Sequence, residues 1–165
     1  MITDINFLLA SAQTGFVATD FAATNVADLK NIYDLGAGRN VYAVVTVTTA
    51  FAGGTSIDFQ VKAGDNTTVA ATDETIGSTG PIPLSALTLG NIFVIRLNDS
   101  YVNSSRTTNT GVIVNGGRQY IGMWYDLVGT FSAGAVNVSL VIDPQSLPKH
   151  YNSGFILAKP SGVDA

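Results

Sequence analysis

The sequence predicts an all-β protein, a jelly roll or β-sandwich of about eight antiparallel strands with extended arms at both ends. Three observations predict it. Apolar and polar residues alternate with period two again and again, while the spacing of amphipathic helices is almost absent. The strand-like runs are short and separated by turn-rich segments, the sequence pattern of sandwiches. Hydrophobic residues make up 46% of the chain and charged residues 12%, which leaves a large core and a surface made mostly of Asn, Thr, Ser and Gly.

Met1 to Gln13 reads as an N-terminal arm, because alternation does not place it in a sheet although it carries Ile2, Phe7, Leu8 and Leu9. Those residues are expected either to clamp a partner or simply to begin the first strand. Weak strand signals follow at Val17 to Val26 and Ile32 to Leu35, with a short helical turn expected over Ala23 to Lys30, capped by Thr24 or Asn25. Val41 to Ala50 is apolar on both faces for half its length, as a central strand would be. Gly53 and Gly54 then suggest a hairpin into Thr55 to Ala63, where Ile57, Phe59, Val61 and Ala63 alternate with Ser56, Asp58, Gln60 and Lys62.

Val69 to Ile76 and Ile82 to Leu87 are weaker candidates, and Ile92 to Asn98 a clear one. Asp99 to Gly117 reads as a polar surface excursion with one strand-like stretch, Gly111 to Val114. In Arg118 to Val128, Ile121, Met123, Tyr125 and Leu127 oppose Tyr120, Trp124 and Asp126. Ala135 to Ile142 closes the set with Val136, Val138, Leu140 and Ile142 on one face. The domain thus spans residues 14–143, and 144–165 form an extended tail. Three prolines keep that tail out of helix and sheet interiors, yet it carries Tyr151 and Phe155, which need something to pack on.

Several function classes are disfavoured. A net charge of −4 and eight scattered basic residues argue against nucleic-acid and polybasic membrane binding. With no cysteine there is neither a disulfide framework nor a thiolate metal site. No run approaches the roughly 20 apolar residues of a membrane span, and the N-terminus lacks the basic start of a secretory signal, so a soluble protein made in a cytoplasm is expected. The single histidine, His150, sits in the tail without a carboxylate neighbour, and the acids are spread thinly. Both patterns argue against catalysis. Asp73 with Glu74, or Asp65 with Asn66, lacks the ligand spacing of a calcium loop. No metal or cofactor is expected. GAGR at Gly36 to Arg39 lacks the third glycine and the helix of a phosphate-binding turn. Tyr120 and Trp124, with Tyr42 or Tyr101, are weighed as a sugar platform, but packing between two sheets is the favoured reading.

Taken in order, several segments resemble one family. LLASAQ (Leu8 to Gln13), YDLGAGR (Tyr33 to Arg39), VYAVVTVTTAFAGG (Val41 to Gly54), GPIPLSALTLGNIFVIRL (Gly80 to Leu97) and RQYIGMWYDLVGTFSAGAVNVSLVID (Arg118 to Asp143) carry the likeness. The sequence resembles the jelly-roll capsid cement, or decoration, proteins of tailed phages of the Bordetella-phage type. That resemblance implies a structural, non-enzymatic protein on the outer surface of the virion head. Its partners would be the major capsid protein and other copies of itself, as a dimer rather than a trimer. The arms, through Ile2, Phe7, Leu8, Leu9, Tyr151 and Phe155, are the expected capsid contacts. The alternative is a carbohydrate-binding or receptor-binding jelly-roll module of a phage tail, since this fold hosts many functions.

Overall fold

The computed structural model describes residues 8–17, 19–28, 41–97, 106–107, 113–114 and 119–142. Along these residues run β1 (Leu8–Gln13), β2 (Phe21–Asp28), β3 (Val41–Gly53), β4 (Ser56–Gly64) and β5 (Glu74–Pro83). A 3-10 turn at Leu84–Ala86 follows, then β6 (Ile92–Arg96), β7 (Arg106–Thr107), β8 (Ile113–Val114), β9 (Tyr120–Val128) and β10 (Phe131–Ile142). Two four-stranded antiparallel sheets form, ordered β1-β10-β3-β6 and β2-β9-β4-β5, and β7 pairs with β8 as a small separate ribbon.

The pairing nests from the outside in. β1 pairs with β10, β2 with β9, β3 with β6 and β4 with β5, so the chain is one long hairpin rolled over on itself. Rolling brings β10 beside β3 and β9 beside β4, which makes two sheets of the one hairpin. That is a jelly roll. β7 and β8 belong to the Asp99 to Gly117 excursion, inserted between β6 and β9 without disturbing the nest.

The core lies where the inner faces meet. Ala43, Val45 and Val47 of β3 and Val136, Val138 and Leu140 of β10 are buried on the first sheet. Ile57, Phe59, Val61 and Ala63 of β4 and Ile121, Met123, Tyr125 and Leu127 of β9 are buried on the second. β3 is central, as its two-sided apolar pattern requires, and Val44 on its outer face is buried with Val141 of β10.

The expected hairpin between β3 and β4 does not form. Gly53 and Gly54 do supply the turn, with φ of +72° and +64°, but β3 and β4 lie in different sheets. Burial explains the difference. As a hairpin, the apolar faces of both strands would point the same way and leave each other bare. Crossing between sheets sets them opposite, so each covers the other. The edges of β3 are also taken, by β10 and β6.

The helical turn expected over Ala23 to Lys30 is a strand as far as Asp28. Ala23 and Ala27 are buried four residues apart, a helix-like spacing. It arises from a bulge, since Ala22 faces Trp124 while Val26 faces Gly122, four residues against two. The N-terminal boundary also moves. Leu8 and Leu9 belong to β1, and Leu9 is fully buried in the core, so Leu9 is unavailable to a partner.

Sheet edges are protected. The backbone N–H and the hydroxyl of Thr24 both donate to Oε1 of Gln13, at 3.1 and 2.7 Å, and Asn25 donates to the carbonyl of Leu8, tying β2 to β1. On the other side β5 approaches β6 at Gly77, where a Cβ would come within 3.0 Å of the Arg96 carbonyl.

One core group is unsatisfied. The Tyr125 hydroxyl is buried, with Phe16, Phe21 and Phe59 packed around its ring, and has no hydrogen-bond partner among the described residues. Burial pushes its pKa well above the ordinary tyrosine value. Tyr125→Phe removes the orphaned oxygen and keeps the ring, so thermal or urea unfolding should show a gain of about 1 kcal/mol.

Candidate functional site

The outer face of the second sheet gathers most of the described polar chemistry. β4 and β9 pair so that Asp58 faces Asp126, Gln60 faces Trp124, Lys62 faces Gly122 and Gly64 faces Tyr120. Strand alternation puts all eight on the side away from the core.

Gln60 links the two carboxylates. Its Nε2 donates to Oδ2 of Asp58 at 3.0 Å and to Oδ2 of Asp126 at 3.3 Å. Oδ1 of Asp58 also accepts from the hydroxyls of Ser78, at 2.7 Å, and Thr79, at 3.2 Å. Asp20 stands nearby, its Oδ1 accepting from the backbone N–H of Leu127 at 2.8 Å.

The pKa of Asp126 is raised, first by desolvation and then by Asp20 and Asp58, with Lys62 acting the other way. A carboxyl raised on folding holds its proton more tightly in the folded state. The fold therefore gains stability as pH falls through the raised pKa toward the ordinary aspartate range, and loses it as pH rises. Asp126→Asn should be more stable than the parent at pH 7 by less than about 1 kcal/mol, because solvent screens this face. Its unfolding free energy should vary less with pH than the parent's between pH 4 and 7.

Beyond Trp124 a loop folds back onto the same face. Val69 is buried against Val26 and Gly122, where a Cβ would come within 2.9 Å of the Val69 side chain. Lys62 holds this loop from below. Only 4% exposed, it donates to the carbonyls of Ala71 and Asp73 and to the hydroxyl of Thr75, at 3.0, 3.1 and 3.1 Å. Alternation had placed Lys62 on a polar face; nothing in the sequence marked it as buried.

The sequence-predicted residues do not converge. Ile2, Phe7, Tyr101, His150, Tyr151 and Phe155 lie outside the described residues, Leu9 is core, and Leu8 is half-buried in β1 opposite Ser139. Trp124 and Tyr120 are half-buried on the outer face rather than packed between the sheets. Tyr42 lies on the outer face of the other sheet, against Val44 and Val141. Among the described residues no three or more His, Asp or Glu side chains group as a metal site, and no helix is long and apolar enough to cross a membrane.

The two ends of the roll differ. One end carries the shorter connections: residues 14–20, 54–55, 84–91 and 129–130. At the other end lie the start of β1 and the finish of β10, on adjacent antiparallel strands, together with the β2–β3, β4–β5 and β6–β9 connections.

A family model described as Bbp16 matches residues 9–140, from the second residue of β1 to near the end of β10. No curated protein matches.

Proposed function

The chain belongs to the Bbp16 family, of the Bordetella-phage type, and from that premise we propose that it is a non-enzymatic cement protein on the outside of a phage head. In this reading it binds the major capsid protein, bridges neighbouring subunits and stabilises the shell. The supporting observation is the asymmetry of the roll. Residues 1–7 and 143–165 join it on neighbouring strands at one end, where the three longest connections also lie. Contacts made there act together, because once one is formed the others are effectively intramolecular. Self-association as a dimer multiplies them again. Each bound copy adds free energy that must be lost before subunits separate.

The test is sedimentation with purified virions. The full chain should co-sediment at near one copy per capsid subunit; failure to do so would overturn the reading. Residues 1–7 carry Ile2 and Phe7 and precede β1. A variant lacking them should unfold within about 0.5 kcal/mol of the parent but bind the shell at least tenfold more weakly. Unchanged binding would remove the N-terminal segment from the contact.

A further inference from the structure

We propose that the outer face of the second sheet binds neutral oligosaccharide, with a pyranose ring against the Trp124 indole and its hydroxyls held by Gln60, Asp126 and the indole N–H. This goes beyond the cement reading and does not depend on it.

The inference begins with where Trp124 is. It is the chain's single tryptophan, and it lies outside the core, while the buried position next to it on β9 is filled by Tyr125. An indole partly exposed beside polar groups offers apolar surface, which suits the C–H face of a sugar ring.

The polar groups around it have spare capacity. Gln60 uses its amide N–H groups on the two carboxylates, which fixes the side chain. Among the described residues nothing donates to Oε1 of Gln60 or Oδ1 of Asp126, and nothing accepts from the Trp124 indole N–H. Two acceptors and a donor thus adjoin an aromatic face, positioned by paired strands rather than by a loop. Hydroxyl donors bonded to a carboxylate make charge-assisted hydrogen bonds, stronger than neutral ones.

Charge narrows the ligand class. Asp20, Asp58 and Asp126 act on one another, and Lys62, the lysine among the described residues, is buried with its three donors directed at Ala71, Asp73 and Thr75. An anionic glycan would meet three carboxylates, whereas a neutral one meets acceptors. The folded-back loop, with Val69 over Gly122, supplies a ledge one outward-facing position beyond Trp124. A ring lying on the indole would abut it.

Because Trp124 is the lone tryptophan, tryptophan fluorescence of the intact chain, excited beyond tyrosine absorption, reports on this face. It should be titrated with cellohexaose, maltohexaose, mannohexaose and a galactose-terminated oligosaccharide, beside a sialylated oligosaccharide and a hexa-arginine peptide. At least one neutral sugar should give a saturable change with a Kd of about 1 mM or tighter, and the sialylated one should bind more weakly. Asp126→Asn and Gln60→Ala should each weaken that binding about tenfold, and calorimetry on Trp124→Ala should show none. The proposal is overturned if no neutral sugar gives saturation up to about 20 mM. It is equally overturned if the variants bind as the parent does, or if only the arginine peptide responds. Virion sedimentation of the same variants should be unchanged, so this site and the cement reading fail separately.

Discussion

Phe59→Ala is expected to remove about 3–5 kcal/mol of folding stability, the largest effect of any single change considered. Phe59 sits on β4, flanked by β9 and β5, and is fully buried. Its ring lies 5.9 Å from that of Phe93, on the first sheet, and 6.0 Å from that of Tyr125, on its own. It therefore touches both layers, and alanine leaves a cavity that neither sheet can fill without sliding its whole pleat. A domain of this kind holds roughly 5–15 kcal/mol in total, so the variant should unfold at a much lower urea concentration with an unchanged slope. A loss under about 1.5 kcal/mol would show that the sheets close over the gap. That outcome would contradict tight packing between the layers.

The same residue shows what the sequence discloses. Ile57, Phe59, Val61 and Ala63 alternate strictly with Ser56, Asp58, Gln60 and Lys62, and β9 repeats the pattern, so strand identity and face were legible. Both strands have one face on the core and one away from it, the condition under which period two is clean. Partnership was not legible. A Gly-Gly turn has the same local chemistry whether the chain returns within a sheet or crosses to the other. At Gly53–Gly54 the choice rests on β10 and β6, which flank β3 from far along the chain. β2 is legible as a strand up to Val26, but its bulge replaces alternation with a four-residue spacing that imitates a helical turn.

The candidate site was legible in parts only. Alternation put Trp124 and Asp126 on one face and Asp58 and Gln60 on another, but their meeting depends on the register of β4 against β9. Size suggested that Trp124 would be core. Tyr125, one position along, holds the inward place, and a strand cannot bury both neighbours on the same side. The arms pose the opposite problem, because the sequence leaves Leu9 either as a partner contact or as the start of the first strand, and β1 uses it for the core.

Lys62→Met should cost roughly 2–3 kcal/mol, the loss expected when hydrogen bonds to a buried charged group are removed. Methionine keeps the apolar stem and approximate length, so packing along β4 survives and the effect isolates the ammonium. Without it the carbonyls of Ala71 and Asp73 and the hydroxyl of Thr75 lose their common donor. The loop would retain Val69 over Gly122 and the bond from the Ala70 N–H to Oδ2 of Asp73 at 2.8 Å. The Ala70–Asp73 bond is local and Val69 only packs, whereas Lys62 ties Ala71 and Asp73 to the sheet by hydrogen bonds. Hydrogen exchange should therefore show protection falling further at the Ala70 and Asp73 amides than at Phe59, on the strand itself. If water replaces the ammonium readily, the loss will stay under about 0.5 kcal/mol and exchange will be uniform. A large loss confined to those amides instead makes Lys62 the fastening that fixes the ledge beside Trp124, and the sugar affinity of this variant should drop with it.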